Sequence, residues 1–265
     1  MTIQFPHFEN MKTIGIIGSG NVARILGMKL QHSSELRFIH SSTFQNAQKL
    51  ADFLGTSAIE KVGQLPKVDL LIIAISDDQI SEVAKQIPSD QAVVHTSGTK
   101  DIGLLDSFDR YGVVYPLQTL GKNDNINLED VPFLIEGSTE QFSAELKSFV
   151  TSCLSTSVEF ADSTKRKQLH VAAVFASNFT VQMLIEAEGL MKDNDLNFEL
   201  LVPLIKETIS NCINNGAVNS LTGPAKRNDE KVIQEHLDLL KDDELKLVYE
   251  TVTNRILSKK YVEKP

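Results

Sequence analysis

The sequence has no tryptophan, only two cysteines and few aromatic residues, which make up 6% of its 265 residues. Cys153 and Cys212 lie far apart and match no metal-ligand or redox spacing, so a disulfide framework is disfavoured and no metal is expected. We therefore expect a reducing, cytoplasmic location. The N-terminus lacks the basic and apolar regions of a signal peptide, and the apolar runs are shorter than a membrane span, so membrane insertion is disfavoured.

Positive charge is also scarce, because 26 Lys and Arg stand against 35 Asp and Glu and give a net charge of −9. A chain without a general attraction for phosphate backbones and without an aromatic platform is not expected to bind nucleic acid. The apolar share of 42% and the charged share of 23% are typical of a soluble globular protein. The length is near the size at which one core stops growing, which favours two unequal domains.

The hydrophobic pattern changes once along the chain. Short apolar runs alternate with amphipathic segments up to about Ala161, which predicts a Rossmann-type α/β fold with a doubly wound, mostly parallel sheet. The predicted strands are Thr13–Ile17, Leu36–Ile39, Leu70–Ile75, Ala92–Val94, Val113–Tyr115, Phe133–Ile135 and Ser157–Phe160. Beyond them the pattern predicts only helices, at Ser163–Met191, Phe198–Asn215, Asp229–Leu240 and Asp243–Lys259. We therefore predict a dinucleotide-binding domain over residues 1–161 and a helical substrate and dimerisation domain over residues 162–265.

A glycine-rich turn follows the first predicted strand and opens a helix. Gly18 permits the tight turn, Gly20 lets the backbone approach a pyrophosphate, and the small Ala23 lets the helix pack on the strand. The residues predicted to hold the phosphates are Gly18, Ser19, Gly20, Asn21 and Val22. The alternative is a Rossmann fold that has lost its ligand.

The end of the second predicted strand carries His40, Ser41 and Ser42, where an NAD-specific site usually has an acidic residue. No carboxylate there would repel a 2′-phosphate, so Ser41 and Ser42 are predicted to bind the cofactor. NADP is favoured and NAD is the alternative. The two serines would also suit a polar turn that caps the next helix.

Polar residues follow three further strands, at the edge where open parallel sheets bind ligands. Contact with the cofactor ribose is expected from Ile75, Ser76 and Asp77. Contact with the nicotinamide or a substrate carbonyl is expected from His95, Thr96 and Ser97. Polar side chains facing the substrate are expected from Tyr115, Gln118 and Thr119. The alternatives are an ordinary helix cap for the first group and a satisfied histidine in a tight turn for the second.

The first helix of the second half is apolar on nearly all sides, which indicates a central element or a subunit interface. Its expected buried stripe consists of Leu169, Ala172, Ala173, Ala176, Met183, Ala187 and Met191. A polar stripe consists of Lys167, His170, Ser177 and Asn178. It would either face a ligand or hydrogen-bond neighbouring backbone. Lys226 and Arg227, in a later turn, would hold an anionic substrate or be solvated charges.

The ordered motifs GIIGSGNVA, AISDDQI, HTSGT, YPLQT, LHVAAVFASNF and LTGPAKRND resemble Rossmann-like bacterial proteins with a C-terminal domain of unknown function 2520. The resemblance covers nearly the whole chain from Met11. It implies an NADP-binding domain, a helical domain like the C-terminal domain of 6-phosphogluconate dehydrogenase, and a dimer formed through the C-terminal helices. It also implies an NADP oxidoreductase acting on a small molecule.

Together these observations predict hydride transfer to or from a small carbonyl or imine. His170 would act as general acid, with Asn178 or Ser97 holding the substrate oxygen, and Gln118, Ser177, Lys226 and Arg227 would bind the substrate. Hydroxyacid dehydrogenases of similar layout carry a catalytic Lys four residues before the Asn, where this chain has Val174. The alternative is therefore an NADP-binding sensor or regulatory protein without turnover.

Overall fold

The computed structural model describes residues 11–121 and 126–259. The chain divides into two compact units, residues 1–177 and 178–265. The last strand ends at Phe160, where the sequence pattern changes, but the division by packing falls inside the helix that follows.

The first unit contains one eight-stranded sheet, which confirms the predicted Rossmann-type fold. Its strands are β1 (Thr13–Ile17), β2 (Glu35–His40), β3 (Ser57–Ile59), β4 (Leu70–Ile73), β5 (Val93–His95), β6 (Tyr111–Pro116), β7 (Phe133–Gly137) and β8 (Val158–Phe160). Their order is β3-β2-β1-β4-β5-β6-β7-β8, and every pair is parallel except β6 with β7. The strand order reverses between β1 and β4, which is where such sheets bind ligands.

Helices cover the sheet and bury two apolar clusters against it. They are α1 (Asn21–Leu30), α2 (Phe44–Leu54), α3 (Ile80–Ala84), α4 (Glu140–Cys153) and α5 (Ser163–Val174), with short 3-10 helices at Val62–Gln64 and Ile102–Leu105. Local sequence fixes several ends. Gly55 ends α2 in the left-handed region at φ 66°, and the Thr139 hydroxyl starts α4 by accepting a hydrogen bond from the Phe142 backbone N–H.

A π-helical turn, Phe175–Phe179, follows α5 and leads into α6 (Thr180–Asp193). The continuous stretch Ser163–Asp193 is the one helix in the described ranges that is long and apolar enough to cross a membrane, by length and composition alone. At its start, however, Arg166 is buried and bonded to Glu136 of β7, so α5 is part of the folded sheet unit. The prediction that the apolar stripe is buried is wrong for the single chain, because Leu169, Ala172 and Ala176 are exposed. The buried residues of α5 are Ser163 and Arg166, both in its first turn.

The regular elements in the described part of the second unit are all helices, as predicted. Its elements after α6 are a 3-10 helix (Phe198–Leu201), α7 (Val202–Asn215), α8 (Ala217–Ser220), α9 (Pro224–Arg227), α10 (Glu230–Leu239) and α11 (Asp243–Ser258). Asp229 and Asp242 start α10 and α11 by accepting hydrogen bonds from the backbone N–H groups of Val232 and Leu245. Many large apolar side chains of this unit are exposed, such as Ile213 at 77%.

Candidate cofactor and active site

A groove of about 620 Å³ lies at the carboxyl ends of the central strands in the first unit. A cavity of about 690 Å³ also occurs in this unit, but residues that precede β1 and β2 line it, so it lies at the amino ends of these strands. Open parallel sheets bind ligands at the carboxyl ends. All residues predicted to bind the cofactor except His95 line the groove.

The turn between β1 and α1 forms one end of the groove. Gly18 has φ +135°, and a Cβ there would lie 2.0 Å from the Ala74 backbone oxygen, so the turn requires glycine. A Cβ on Gly20 would meet no atom within 4 Å, which leaves the backbone open to a ligand. Gly20 starts α1 without a side-chain cap, and the first turn has no acidic residue. The backbone N–H groups of Asn21 and Val22 and the helix dipole are therefore available to an anion.

The exit from β2 supplies the polar groups next to this turn. The Ser41 side chain is buried, and its Oγ lies 2.9 Å from Ser19 Oγ, so it ties the β2 exit to the glycine turn. His40 is also buried, with Nδ1 2.9 Å from the Ile59 backbone oxygen. Ser42 is exposed. No carboxylate from this exit lines the described part of the groove, which suits a 2′-phosphate.

The exits from β4 and β5 form the floor of the groove. Asp77 follows β4, and its carboxylate accepts a hydrogen bond from Thr99 Oγ1. Ser97 follows β5, and its Oγ accepts hydrogen bonds from the backbone N–H groups of Thr99 and Lys100, at 3.1 and 3.0 Å. Ser97 is buried, so the hydroxyl that was predicted to hold a substrate oxygen already stabilises its own loop. Its catalytic role stays a prediction.

His95 was predicted to contact the cofactor, but it is completely buried and does not line the groove. Its Nδ1 accepts a hydrogen bond from the Ser97 backbone N–H at 3.1 Å. Burial, and secondly the positive charge of Arg166, lower the pKa of His95 to about 4. The imidazole is therefore neutral and supports the loop from below, so a direct contact between its side chain and a cofactor is wrong for this conformation.

Arg166 is a buried residue that the sequence analysis missed. Its guanidinium donates to Glu136 Oε2 and to the Lys100 backbone oxygen, both at 2.6 Å, and to Ser163 Oγ at 3.1 Å. These bonds attach the start of α5 to β7 and to the loop that follows β5. The only available signal was its position four residues before His170, on the same face of the helix. Neighbouring Lys167, a member of the predicted polar stripe, pairs at 3.8 Å with Asp101, and both side chains are about half exposed.

His170 of α5 also lines the groove, at the side away from α2. Its Nδ1 lies 3.0 Å from the hydroxyl of Tyr115, the penultimate residue of β6. Burial raises the pKa of Tyr115, and the negative charge of Asp77 raises it further, so the phenol stays protonated at neutral pH. Within the first unit, the phosphate-binding turn and an imidazole suited to proton transfer therefore line one groove.

The predicted substrate residues are only partly placed. Ser177 Oγ lies 2.7 Å from Thr119 Oγ1, in the loop after β6, and Gln118 uses its Oε1 to accept from the Thr119 backbone N–H. The π-helical turn changes the rotation per residue after Val174, so the polar stripe does not continue at the 100° step assumed for an α-helix. The remaining predicted residues, Asn178, Lys226 and Arg227, belong to the second unit, and their roles stay predictions.

These features define a dinucleotide-binding protein of the Rossmann class. Two family models match the chain: "NADP oxidoreductase coenzyme F420-dependent" over residues 13–97, and the domain of unknown function 2520 over residues 131–256. No curated protein sequence matches it.

Solved structures of similar fold cover almost the whole chain. A "putative NADP oxidoreductase" from Bacteroides fragilis is 32% identical, with a TM-score of 0.85 over 94% of this chain and 98% of its own. A reductive aminase from Aspergillus terreus in complex with NADPH is 15% identical, with a TM-score of 0.68 over 95% of this chain and 96% of its own. A 1-pyrroline-5-carboxylate reductase from Streptococcus pyogenes is also 15% identical, with a TM-score of 0.62 over 93% and 98%. The last two show likeness of fold.

The chain belongs to the family of the Bacteroides fragilis protein, NADP oxidoreductases in which a dinucleotide-binding domain precedes a domain of unknown function 2520. This confirms the resemblance stated from the motifs, and with it the prediction of NADP as cofactor. By its family, the protein is therefore an oxidoreductase.

Proposed function

We propose that this protein is an NADPH-dependent reductase of a small carbonyl or imine, with His170 as general acid. The observation that carries the proposal is that the uncapped start of α1 and the His170 side chain line the same groove. A volume of about 620 Å³ is in the range of cofactor sites. Reductive aminases and pyrroline-carboxylate reductases of the same fold make an imine or carbonyl substrate the first class to test.

The residues of the groove fit the cofactor. The backbone N–H groups after Gly20 would hold the pyrophosphate, and Ser42 would face the 2′-phosphate of the adenosine ribose. When bound, NADPH supplies the hydride. His170 would hold a proton on its ring and deliver it to the substrate oxygen or nitrogen. The loop that faces it is held by hydrogen bonds to the buried His95 and Ser97 side chains.

A turnover screen tests the reductase. NADPH consumption would be followed with panels of oxo acids, aldehydes and cyclic imines, for the wild type and for His170→Gln. We expect turnover with one class, a loss of about 10²–10⁴-fold in the variant, and NADPH affinity within about threefold of wild type, a free-energy change of under 1 kcal/mol. Tight NADPH binding without turnover in a broad screen would contradict the reductase and favour the sensor, which Val174 at the usual lysine position also supports.

The preference for NADPH over NADH is tested at Ser42. Aspartate there would place a negative charge beside the 2′-phosphate, so Ser42→Asp should weaken NADPH binding at least about tenfold, or 1.4 kcal/mol, and leave NADH binding nearly unchanged. Ser89→Asp is the matched control, because Ser89 is also exposed but lies outside the groove. Equal affinities of wild type for both cofactors in calorimetry would refute the preference.

We also propose that the protein is a cytoplasmic homodimer held by its C-terminal helices. Support comes from α7, where Ile209 and Ile213 are one turn apart and 46% and 77% exposed. A second copy would cover such side chains. Light scattering should give a dimer for wild type and for Glu207→Lys, which reverses an exposed charge on the opposite face of the same helix, and a monomer for Ile209→Glu with Ile213→Glu. A monomeric wild type would refute the proposal.

A further inference from the structure

Tyr115 and His170 form a closely packed pair at the edge of the groove. The Tyr115 hydroxyl lies 3.0 Å from His170 Nδ1, and the two rings meet edge to face with centroids 5.9 Å apart. A Cβ added to Gly98, in the loop after β5, would lie 2.6 Å from His170 Nδ1 and 2.8 Å from Tyr115 Cζ. The loop therefore closes on the pair, and only a glycine fits there. Three separate segments thus meet at the pair, and two of the residues that meet there, Gly98 and His170, line the groove.

The chemistry of the two groups makes the contact useful in both protonation states of His170. A phenol can donate its proton to a bare Nδ1, and its oxygen can accept from a protonated Nδ1. Tyr115 stays a phenol at neutral pH, since both its burial and the charge of Asp77 raise its pKa. Tyr115 is thus able to keep one hydrogen bond to His170 whether the imidazole is neutral or charged.

The nitrogen that remains for a substrate is Nε2. In the described part of the chain the one hydrogen bond of the His170 ring is that of Nδ1, which faces Tyr115 and Gly98. The other charged groups around the pair are Asp77, which is bonded to Thr99, and the buried Arg166–Glu136 pair and the exposed Lys167–Asp101 pair, both at the start of α5. None of these groups is hydrogen-bonded to the imidazole, so among the described residues Tyr115 is its hydrogen-bond partner.

We propose that Tyr115 is the positioning residue of His170 and that it directs Nε2 as the proton-donating atom; this inference rests on the proposed reductase function. In the proton-transfer step the Nε2–H bond of the imidazolium breaks and leaves its electron pair on Nε2, while the proton bonds to the substrate oxygen or nitrogen. The ring is then neutral with its remaining proton on Nδ1, which donates to the Tyr115 oxygen, and a proton taken up from solvent by Nε2 restores the imidazolium.

Nitrogen-detected NMR of the histidine rings in the free protein tests the orientation without a substrate. Among the six histidines, His170 is assigned by the signal lost in His170→Gln. We expect neutral wild-type His170 to carry its proton mainly on Nε2, because a phenol donates a stronger hydrogen bond than its oxygen accepts, and we expect its ring to be ordered. Tyr115→Phe should reduce this bias several-fold and loosen the ring, with NADPH affinity unchanged.

Two further variants make the result decisive. Gly98→Ala keeps the Tyr115 hydroxyl, but the added methyl group pushes His170 Nδ1 away from it, so the tautomer bias of His170 should fall as in Tyr115→Phe. This second variant keeps the test valid if Tyr115→Phe folds poorly. Tyr111→Phe is the control, because Tyr111 is at the start of the same strand, and the described hydrogen bond and ring contact of His170 are both with Tyr115. An unchanged bias and unchanged ring order in both Tyr115→Phe and Gly98→Ala would overturn the inference.

The two proposals fail separately. If the wild type turns over no substrate, the reductase function is refuted, whatever the ring spectra show. If a substrate is found, Tyr115→Phe should lower kcat about tenfold or more, shift the pH profile of kcat and leave the KM for NADPH unchanged. A normal kcat with a normal pH profile in this variant would refute the role of Tyr115 alone.

Discussion

Gly18 and Gly20 lie two residues apart in one turn, but alanine should harm the protein differently at each. At Gly18 the added Cβ would lie 2.0 Å from the Ala74 backbone oxygen, and φ is +135°. Because backbone cannot move aside cheaply, strain and overpacking together should cost about 3 kcal/mol of the free energy of unfolding. For a chain of this size that is a fall in Tm of about 6–12 °C.

At Gly20 the same methyl group would meet no protein atom within 4 Å, and φ is −80°, which alanine adopts readily. Gly20→Ala should therefore leave Tm within about 1–2 °C of wild type, but it should weaken NADPH binding at least about tenfold, since the methyl group occupies the space of the pyrophosphate.

Calorimetric unfolding and NADPH titration on both variants check the pair of predictions. Gly63→Ala is the control, because a Cβ there also meets nothing within 4 Å and Gly63 lies outside the groove. Unchanged NADPH affinity in Gly20→Ala, in a folded protein, would refute the assignment of this turn as the phosphate site. An unchanged Tm in Gly18→Ala would refute the steric argument for the turn.

Two further predictions concern the buried groups behind the groove. The pKa of His95 is about 4 in the folded chain and near 6.5 in the unfolded chain, so the unfolded state binds the extra proton first as the pH falls. The free energy of unfolding should therefore fall by about 3 kcal/mol between pH 6.5 and 4. Thermal unfolding of His95→Gln should depend less steeply on pH in this range, and the same pH dependence as wild type would contradict the buried neutral imidazole. Arg166→Met leaves Glu136 without its charged partner and should cost about 3–5 kcal/mol in denaturant unfolding. Lys167→Met breaks an exposed pair and should cost under about 1 kcal/mol. Equal losses in the two variants would be evidence against the buried pair.

Most of the first unit could be predicted from the sequence, because apolar runs and glycine turns are local signals. Strand β3, Ser57–Ile59, was missed because it is a three-residue edge strand with only two apolar side chains. The direction of β7 is also hidden, since a buried strand has the same composition whether it runs parallel or antiparallel.

The groove was predicted better than the side chains behind it. Residues of the glycine turn and the strand exits follow from topology, because all of them sit at carboxyl ends of parallel strands. The burial of Arg166 could not be predicted, since it depends on Glu136 and on the Lys100 backbone oxygen, which are 30 and 66 residues away along the chain. The hydrophobic pattern gives no sign of the π-helical turn. Because this turn changes the rotation per residue, Ser177 does not lie at the angle from His170 that an α-helix predicts.

The reversal of β7 decides what kind of groups the groove can offer. Because β8 is parallel to β7, the chain leaves the sheet heading away from the groove edge, and α5 must turn back along the sheet. His170 comes seven residues after the start of α5, about 10 Å along its axis. The groove therefore meets the amino end of one helix, α1, and the flank of another, α5. The first presents backbone N–H groups, and the second presents side chains. Chemistry in this groove can thus change by substitution on α5 while the grip on the dinucleotide stays the same.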